Sequence, residues 1–340
     1  QLAMLPLVGA IASGNTVVLK PSKYSPTVSI VLENILSNFD KRLISVVLGG
    51  REVNQNLLDH KFDYIFFTGS VNVGKFVMEK AARNLTPVTL ELGGKSPCIV
   101  DAKCDLDIAC KRIVWGKYLN AGQTCVAPDY ILVHKNIHDD FVTKVLEYIE
   151  SFYYKNNRLS KDFPEIINDK HLDRLKNLIL KNNLVFGGNV KGRTLEPTVL
   201  DNISFGDKIM KEEIFGPIMP IIEYENIDNI IYDLKRMNKP LALYIFSNDR
   251  KIIKKVLRNI SSGGACINDV IMHLTNDKLP FGGVGTSGMG SYHGQKSFET
   301  FSHYKSVFEK SKSEFQVKYP PYNEKKLKTI KKLMKVNEVK

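Results

Sequence analysis

A chain of 340 residues, 43% hydrophobic and 25% charged, has the balance of a water-soluble folded protein and enough length for two domains. No apolar run is long enough to span a bilayer and no signal peptide is present, so the expectation is a cytoplasmic chain. The net charge of +12 raises the question of nucleic acid, but much of the excess follows Tyr319, and the aromatic residues do not interleave with the lysines as a base-stacking groove requires.

The elements follow in order. Residues 1–10 open without Met on an apolar run that suits the middle of a domain. The expectation is a fragment, with Leu2, Met4, Leu5 and Leu7 exposed. Residues 16–20 read as a strand, after which Val28, Val31, Leu32, Ile35, Leu36 and Phe39 recur at helical spacing. Residues 44–48 form a second strand ending at Gly49-Gly50, followed by a short helix over 52–58. The strand 64–67 leads into a helix over 71–83, and 88–90 leads into a turn at Glu91. The alternation restarts after Gly94, with a helix over 106–119, a strand over 130–133 and a helix face of Phe141, Val145, Ile149 and Phe152. Later strands fall at 218–222, 243–246 and 265–270. Strands alternating with helices indicate βαβ units, an α/β fold around a parallel sheet, with a boundary near Gly93-Gly94.

Chemistry concentrates in two turns. Cys125 lies in Asn-Ala-Gly-Gln-Thr-Cys-Val, and Glu91 in Leu-Glu-Leu-Gly-Gly-Lys. A thiol and a carboxylate in Gly-bearing turns suit covalent catalysis: the thiolate attacks a carbonyl, and the carboxylate later deprotonates the releasing water. Taken singly, each has an ordinary reading, a small buried hydrophobe and a surface acid. Five cysteines with no Cys-x-x-Cys pair argue against a zinc site and a disulfide framework, and no metal is expected. Thr68-Gly69-Ser70, between a strand and a helix containing Gly74 and Lys75, offers an amide-rich helix start suited to a pyrophosphate, with Ser70 as the cap. Gly69 to Lys75 nearly matches a Walker A loop, but Phe76 stands where Ser or Thr would bind magnesium. Nor does this turn carry the Gly-x-Gly-x-x-Gly fingerprint of a standard Rossmann fold.

The Glu91 and Cys125 runs resemble those of the aldehyde dehydrogenases in letters, order and spacing. Further runs match in family order: Glu212-Glu213-Ile214-Phe215-Gly216-Pro217, Pro240 to Tyr244, and Leu279-Pro280-Phe281-Gly282-Gly283. Cys125 to Tyr130 and Gly290 to Gly294 resemble the class 3 branch, whose members oxidise aromatic and medium- or long-chain aliphatic aldehydes and are commonly dimers. The resemblance implies a Rossmann-type NAD(P)-binding domain over 1–93, an α/β catalytic domain over 94–292, and an oligomerisation segment with a basic tail over 293–340. It implies a homodimer with NAD or NADP as cofactor and an aldehyde as substrate. Cys125 is then the nucleophile and Glu91 the base, while Lys20, Lys23, Gly69, Ser70, Gly74, Leu92, Glu213 and Phe215 hold the cofactor. Glu213 would take the nicotinamide ribose, Phe215 would pack beside the nicotinamide, and Phe281 would wall the aldehyde tunnel.

Two departures stand out. The family's oxyanion asparagine falls before Gln1, which leads to the expectation of a poorly active fragment. The family's Lys-Pro-Ser-Glu motif here ends in Lys23. Rival readings are a CoA-acylating relative, a catalytically silent fragment and a nucleic-acid module. In the tail, Leu327, Ile330 and Met334 would share one helix face among lysines. A solvated tail is the simpler account, and weak peripheral contact with an anionic membrane is the alternative.

Overall fold

Short runs of Ile, Val, Leu, Tyr and Cys without polar alternation suit strands covered on both faces, and such runs build the main sheet of this α/β protein. In the computed structural model, which describes residues 1–335, its seven strands run in the spatial order Gly264–Ile267, Ala242–Phe246, Pro97–Val100, Tyr130–His134, Ile218–Tyr224, Thr198–Leu200 and Leu184–Phe186. All neighbours pair parallel except the last edge strand, which is antiparallel. The register sets Cys98 between Tyr244 and Ile131, and all three are fully buried. The helices Leu106–Tyr118 and His138–Tyr153 bury Ala109, Ile113, Phe141, Val145 and Ile149 in the same core. Asp105 caps the first of these by accepting the Ile108 N–H.

Two smaller sheets carry the first part of the chain. Val17–Leu19 pairs parallel with Ile44–Val46. In the other sheet Val88–Glu91 lies between Ile65–Thr68, parallel, and Gly288–Met289, antiparallel. The chain divides into a unit of residues 1–302 and a second unit of 303–340. In the second, Asn323 caps the helix Glu324–Leu333. Residues 336–340 of the basic tail lie outside the described residues.

Several expectations need correction. Residues 4–12 form a helix that buries Leu7 with Leu36 and Ile44 and half-buries Met4, so only Leu2 and Leu5 of the four stay exposed. The helix Pro26–Leu36 stops short of Phe39 and turns Ser29 and Leu36 inward, leaving Val28, Val31 and Ile35 exposed. The strand expected over 265–270 ends at Ile267, because Asn268 takes a positive φ. Its amide then exchanges two hydrogen bonds with the Ser247 backbone in place of a ladder.

Candidate active site

Ligands of open α/β sheets gather at the carboxyl ends of the parallel strands, and Glu91 is the last residue of one. It pairs with Thr68 on one side and Gly288 on the other. Its carbonyl accepts the Gly69 N–H at 3.0 Å, so the carboxylate strand and the Thr68-Gly69-Ser70 turn are tied directly. Both carboxylate oxygens are buried, with no hydrogen-bond partner among the described residues. Burial pushes this carboxyl up to about 8.

Cys125 reaches the site through a sharp reversal. After Tyr118 the chain places Asn120, Ala121 and Gly122 in the left-handed region, at φ 54°, 52° and 71°. Gln123 holds the reversal: its side chain donates to the Asn120 and Glu165 carbonyls and accepts the Ile167 N–H. A Cβ on Gly122 would overlap the Gly216 carbonyl, so the cysteine loop lies directly on the Glu212–Pro217 strap. The Cys125 thiol is half-buried, and burial, then Glu213, then Glu91 push it up to about 12. The Cys125 and Val126 N–H groups point at the sulfur. Behind it, the Tyr244 hydroxyl donates to the Val126 carbonyl at 2.5 Å and accepts from the Ile271 N–H.

The strap brings in Glu213 and Phe215. The Glu213 carboxylate accepts the Gly94 N–H, and burial raises it to about 8. A Cβ on Gly93 would collide with that carboxylate, so only glycine allows this approach. Phe215 is exposed at φ 47°, a strained conformation for a bulky residue. Arg174 donates to the Glu213 and Ile214 carbonyls from outside the strap. The sequence offers no sign of Arg174, and it sets Tyr244 and Lys95 inside matched runs without revealing their partners, which lie far away in the chain.

The remaining residues fall into three groups. Leu92 packs on Gly74 beneath the start of the helix Val71–Ala82, where Gly69 and Ser70 are exposed. Ser70 stands at the N-cap position, but its side chain makes no capping bond. Phe281 is buried in an aromatic wall, stacked on His293 at 5.2 Å and edge-on to Tyr292, which in turn meets Phe66. Tyr292 feels the charge of both Glu91 and Cys125. Lys20 and Lys23 form a separate group: the Lys20 ammonium donates to the Pro21 carbonyl at 2.6 Å, and the exposed Lys23 stem runs along Gly50.

The donor set fits a dinucleotide. An exposed helix start suits the pyrophosphate, two lysines suit a ribose or its phosphate, and a half-buried carboxylate near an exposed ring suits the nicotinamide end. With a thiol that feels the charge of both the buried Glu91 and the half-buried Glu213, these features define a nicotinamide-dependent oxidoreductase of the covalent type. Residues 1–307 match the profile of the aldehyde dehydrogenase family. The chain is 49% identical over 332 residues to aldehyde dehydrogenase family 3 member A2 of Mus musculus, covering 96% of this chain and 69% of that protein. It is 50% identical over 327 residues to the dimeric NADP-preferring aldehyde dehydrogenase of the same species, covering 94% and 72%. The substrate-bound structure of Staphylococcus aureus AldH superposes with a TM-score of 0.93 at 48% identity, covering 98% of this chain and 74% of that one. This chain belongs to the aldehyde dehydrogenase family, on its class 3-like branch, and is an NAD(P)-dependent oxidoreductase acting on aldehydes.

Proposed function

We propose that Cys125 attacks the aldehyde carbon and that Glu91 activates the water that releases the acid. The observation that carries this is the pair of unpartnered Glu91 oxygens, buried beside a thiol that registers their charge. With its proton held to about 12, the thiol passes it to the Glu213 carboxylate as the sulfur attacks, which leaves Glu91 ionised for the water step. As the sulfur–carbon bond forms, the carbonyl π pair moves onto oxygen, where the Cys125 and Val126 N–H groups can meet the charge. NAD or NADP, when bound, supplies the acceptor for the hydride, and a thioester remains on Cys125. Glu91 then takes a proton from water, the resulting hydroxide attacks the thioester carbon, and the acid leaves as the thiolate is restored.

The cofactor lies, in this reading, with its pyrophosphate at Gly69 and Ser70, over Gly74 and Leu92, its adenosine ribose near Lys20 and Lys23, and its nicotinamide between Glu213 and Phe215. Phe281, Tyr292 and Phe66 favour apolar substrates, namely aromatic and medium- or long-chain aliphatic aldehydes. Residues 1–93 serve the cofactor and 94–292 the catalysis. Residues 293–340 serve assembly into a homodimer, supported by likeness to a relative named as dimeric. The cysteines Cys98, Cys104, Cys110, Cys125 and Cys266 are all unbridged, which suits the cytoplasm. Among the described residues no helix is long and apolar enough to cross a membrane.

The test is kinetic. Cys125→Ala should abolish oxidation. Glu91→Gln should give a first-turnover burst of reduced cofactor and then stall, because only release of the acid is blocked. Full steady-state turnover by Glu91→Gln would sink the assignment. Products formed with and without CoA decide whether water or a thiol resolves the thioester.

A further inference from the structure

Asp129 lies four residues after Cys125, and its carboxylate is buried. Its Oδ1 accepts the Ile214 N–H at 2.9 Å, and its Oδ2 takes the Lys95 ammonium at 2.5 Å. The same ammonium donates to the Ile209 and Glu212 carbonyls at 2.9 Å each, so its three protons all fix one arrangement. The Asp129 backbone is pinned as well: its N–H donates to Ser96, and its carbonyl receives the fully buried Lys117 ammonium at 3.4 Å. Two chain segments thus meet at one carboxylate, the loop that carries the thiol and the strap that carries Glu213 and Phe215.

We propose that Asp129, through Lys95 and the Ile214 N–H, is a positioning residue that fixes the strap against the cysteine loop and so sets how Glu213 and Phe215 receive the cofactor. This rests on the reading of Glu213 as the ribose ligand. A buried ion pair is no stronger than a well-packed apolar pair as a source of stability. Its value here is geometric: a carboxylate bonded in two directions defines the separation of two segments, which packing alone defines less sharply. The strap needs such a fixture, because Phe215 sits in strained backbone that relaxes if the neighbouring amide is freed.

The experiment compares Asp129→Ala, Asp129→Asn and Glu213→Gln by three readouts: amide hydrogen exchange, steady-state aldehyde oxidation with varied NAD(P), and cofactor-free hydrolysis of p-nitrophenyl acetate. The ester reaction needs the thiol and a water base but no hydride acceptor. Asp129→Ala should speed exchange over residues 209–217 at least tenfold, raise the cofactor KM about tenfold and leave ester hydrolysis within twofold. Asp129→Asn, which keeps an oxygen for Ile214, should fall between alanine and the parent, and keeps the test readable if the alanine variant does not fold. Unchanged exchange over 209–217, or exchange rising throughout the chain with loss of ester hydrolysis, would overturn the proposal. If exchange rises locally in Asp129→Ala while Glu213→Gln leaves the cofactor KM unchanged, the fixture stands and the ribose reading fails.

Discussion

Two carboxyls near 8 in one site make proton occupancy the governing variable at the residue scale. Glu91 is raised by burial alone, and Glu213 by burial and by the Asp129 charge. A base must be ionised to act, so the acid-releasing rate should climb with pH and level off above about 8. Stability should run the other way. The folded state holds a proton that the unfolded chain sheds near 4.5, so unfolding becomes easier as pH rises from about 4.5 to about 8, and is flat beyond. Denaturant titrations at stepped pH check this: Glu91→Gln should roughly halve the slope, leaving the share of Glu213, and a slope unaltered by that change would place the cause elsewhere. Lys23 poses the cofactor question at the same scale. Its exposed ammonium can meet a 2′-phosphate but cannot accept from ribose hydroxyls. The enzyme is therefore expected to use NADP at least as well as NAD, and Lys23→Glu to shift the ratio of kcat/KM toward NAD about fivefold, the factor that ~1 kcal/mol gives. An unmoved ratio would leave Lys23 without a part in cofactor choice.

The turn between helix Leu106–Tyr118 and Cys125 decides the site at the scale of elements. Three consecutive left-handed residues leave the thiol loop little freedom, and Gly122 is the member pressed against the Gly216 carbonyl. Gly122→Ala should cost about 1–3 kcal/mol in strain and push the loop off the strap. A lowered melting temperature together with slower alkylation of Cys125 would report both effects, while unchanged alkylation would separate the turn from the thiol. The Gly-bearing turns were legible from sequence because glycine marks them, and the strands over Tyr130–His134 and Ile218–Tyr224 because their residues are β-branched and apolar. The central strand Pro97–Val100 was not: it is four residues long, begins with Pro and has no alternation to read. Nor was the direction of the helix Pro26–Leu36, since a periodic apolar face says that a helix forms but not what covers it. The Lys95–Asp129 pair was hidden for another reason. Its partners are 34 residues apart, and only the packed sheet brings them together.

For the whole molecule the question is what the charge does. The chain carries +12, and residues 303–335 contain ten lysines against Glu309, Glu314 and Glu324, so the second unit holds much of the excess. Within it, Lys310 and Lys318 are engaged by Glu314, whereas the helix Glu324–Leu333 gathers Lys325, Lys328 and Lys332 on one face and leaves Leu327 and Leu333 exposed. Exposed lysines near an anionic bilayer are each worth about 1 kcal/mol, and the effect dies away within a Debye length of about 8–10 Å. A helix of 10 residues with few apolar contacts adds little insertion energy, so any membrane contact is weak and electrostatic. On the simpler account, a solvated tail, the chain stays in solution; the alternative requires it to sediment with vesicles of phosphatidylserine and phosphatidylcholine at low salt, be released by 0.5 M NaCl, and ignore vesicles of phosphatidylcholine alone. Deletion of residues 323–340 should then abolish any such sedimentation while leaving aldehyde oxidation unchanged, because every residue assigned to the reaction lies within 1–302. Equal binding after the deletion would clear the tail of any membrane role, and the lysines would then serve only to keep the surface solvated.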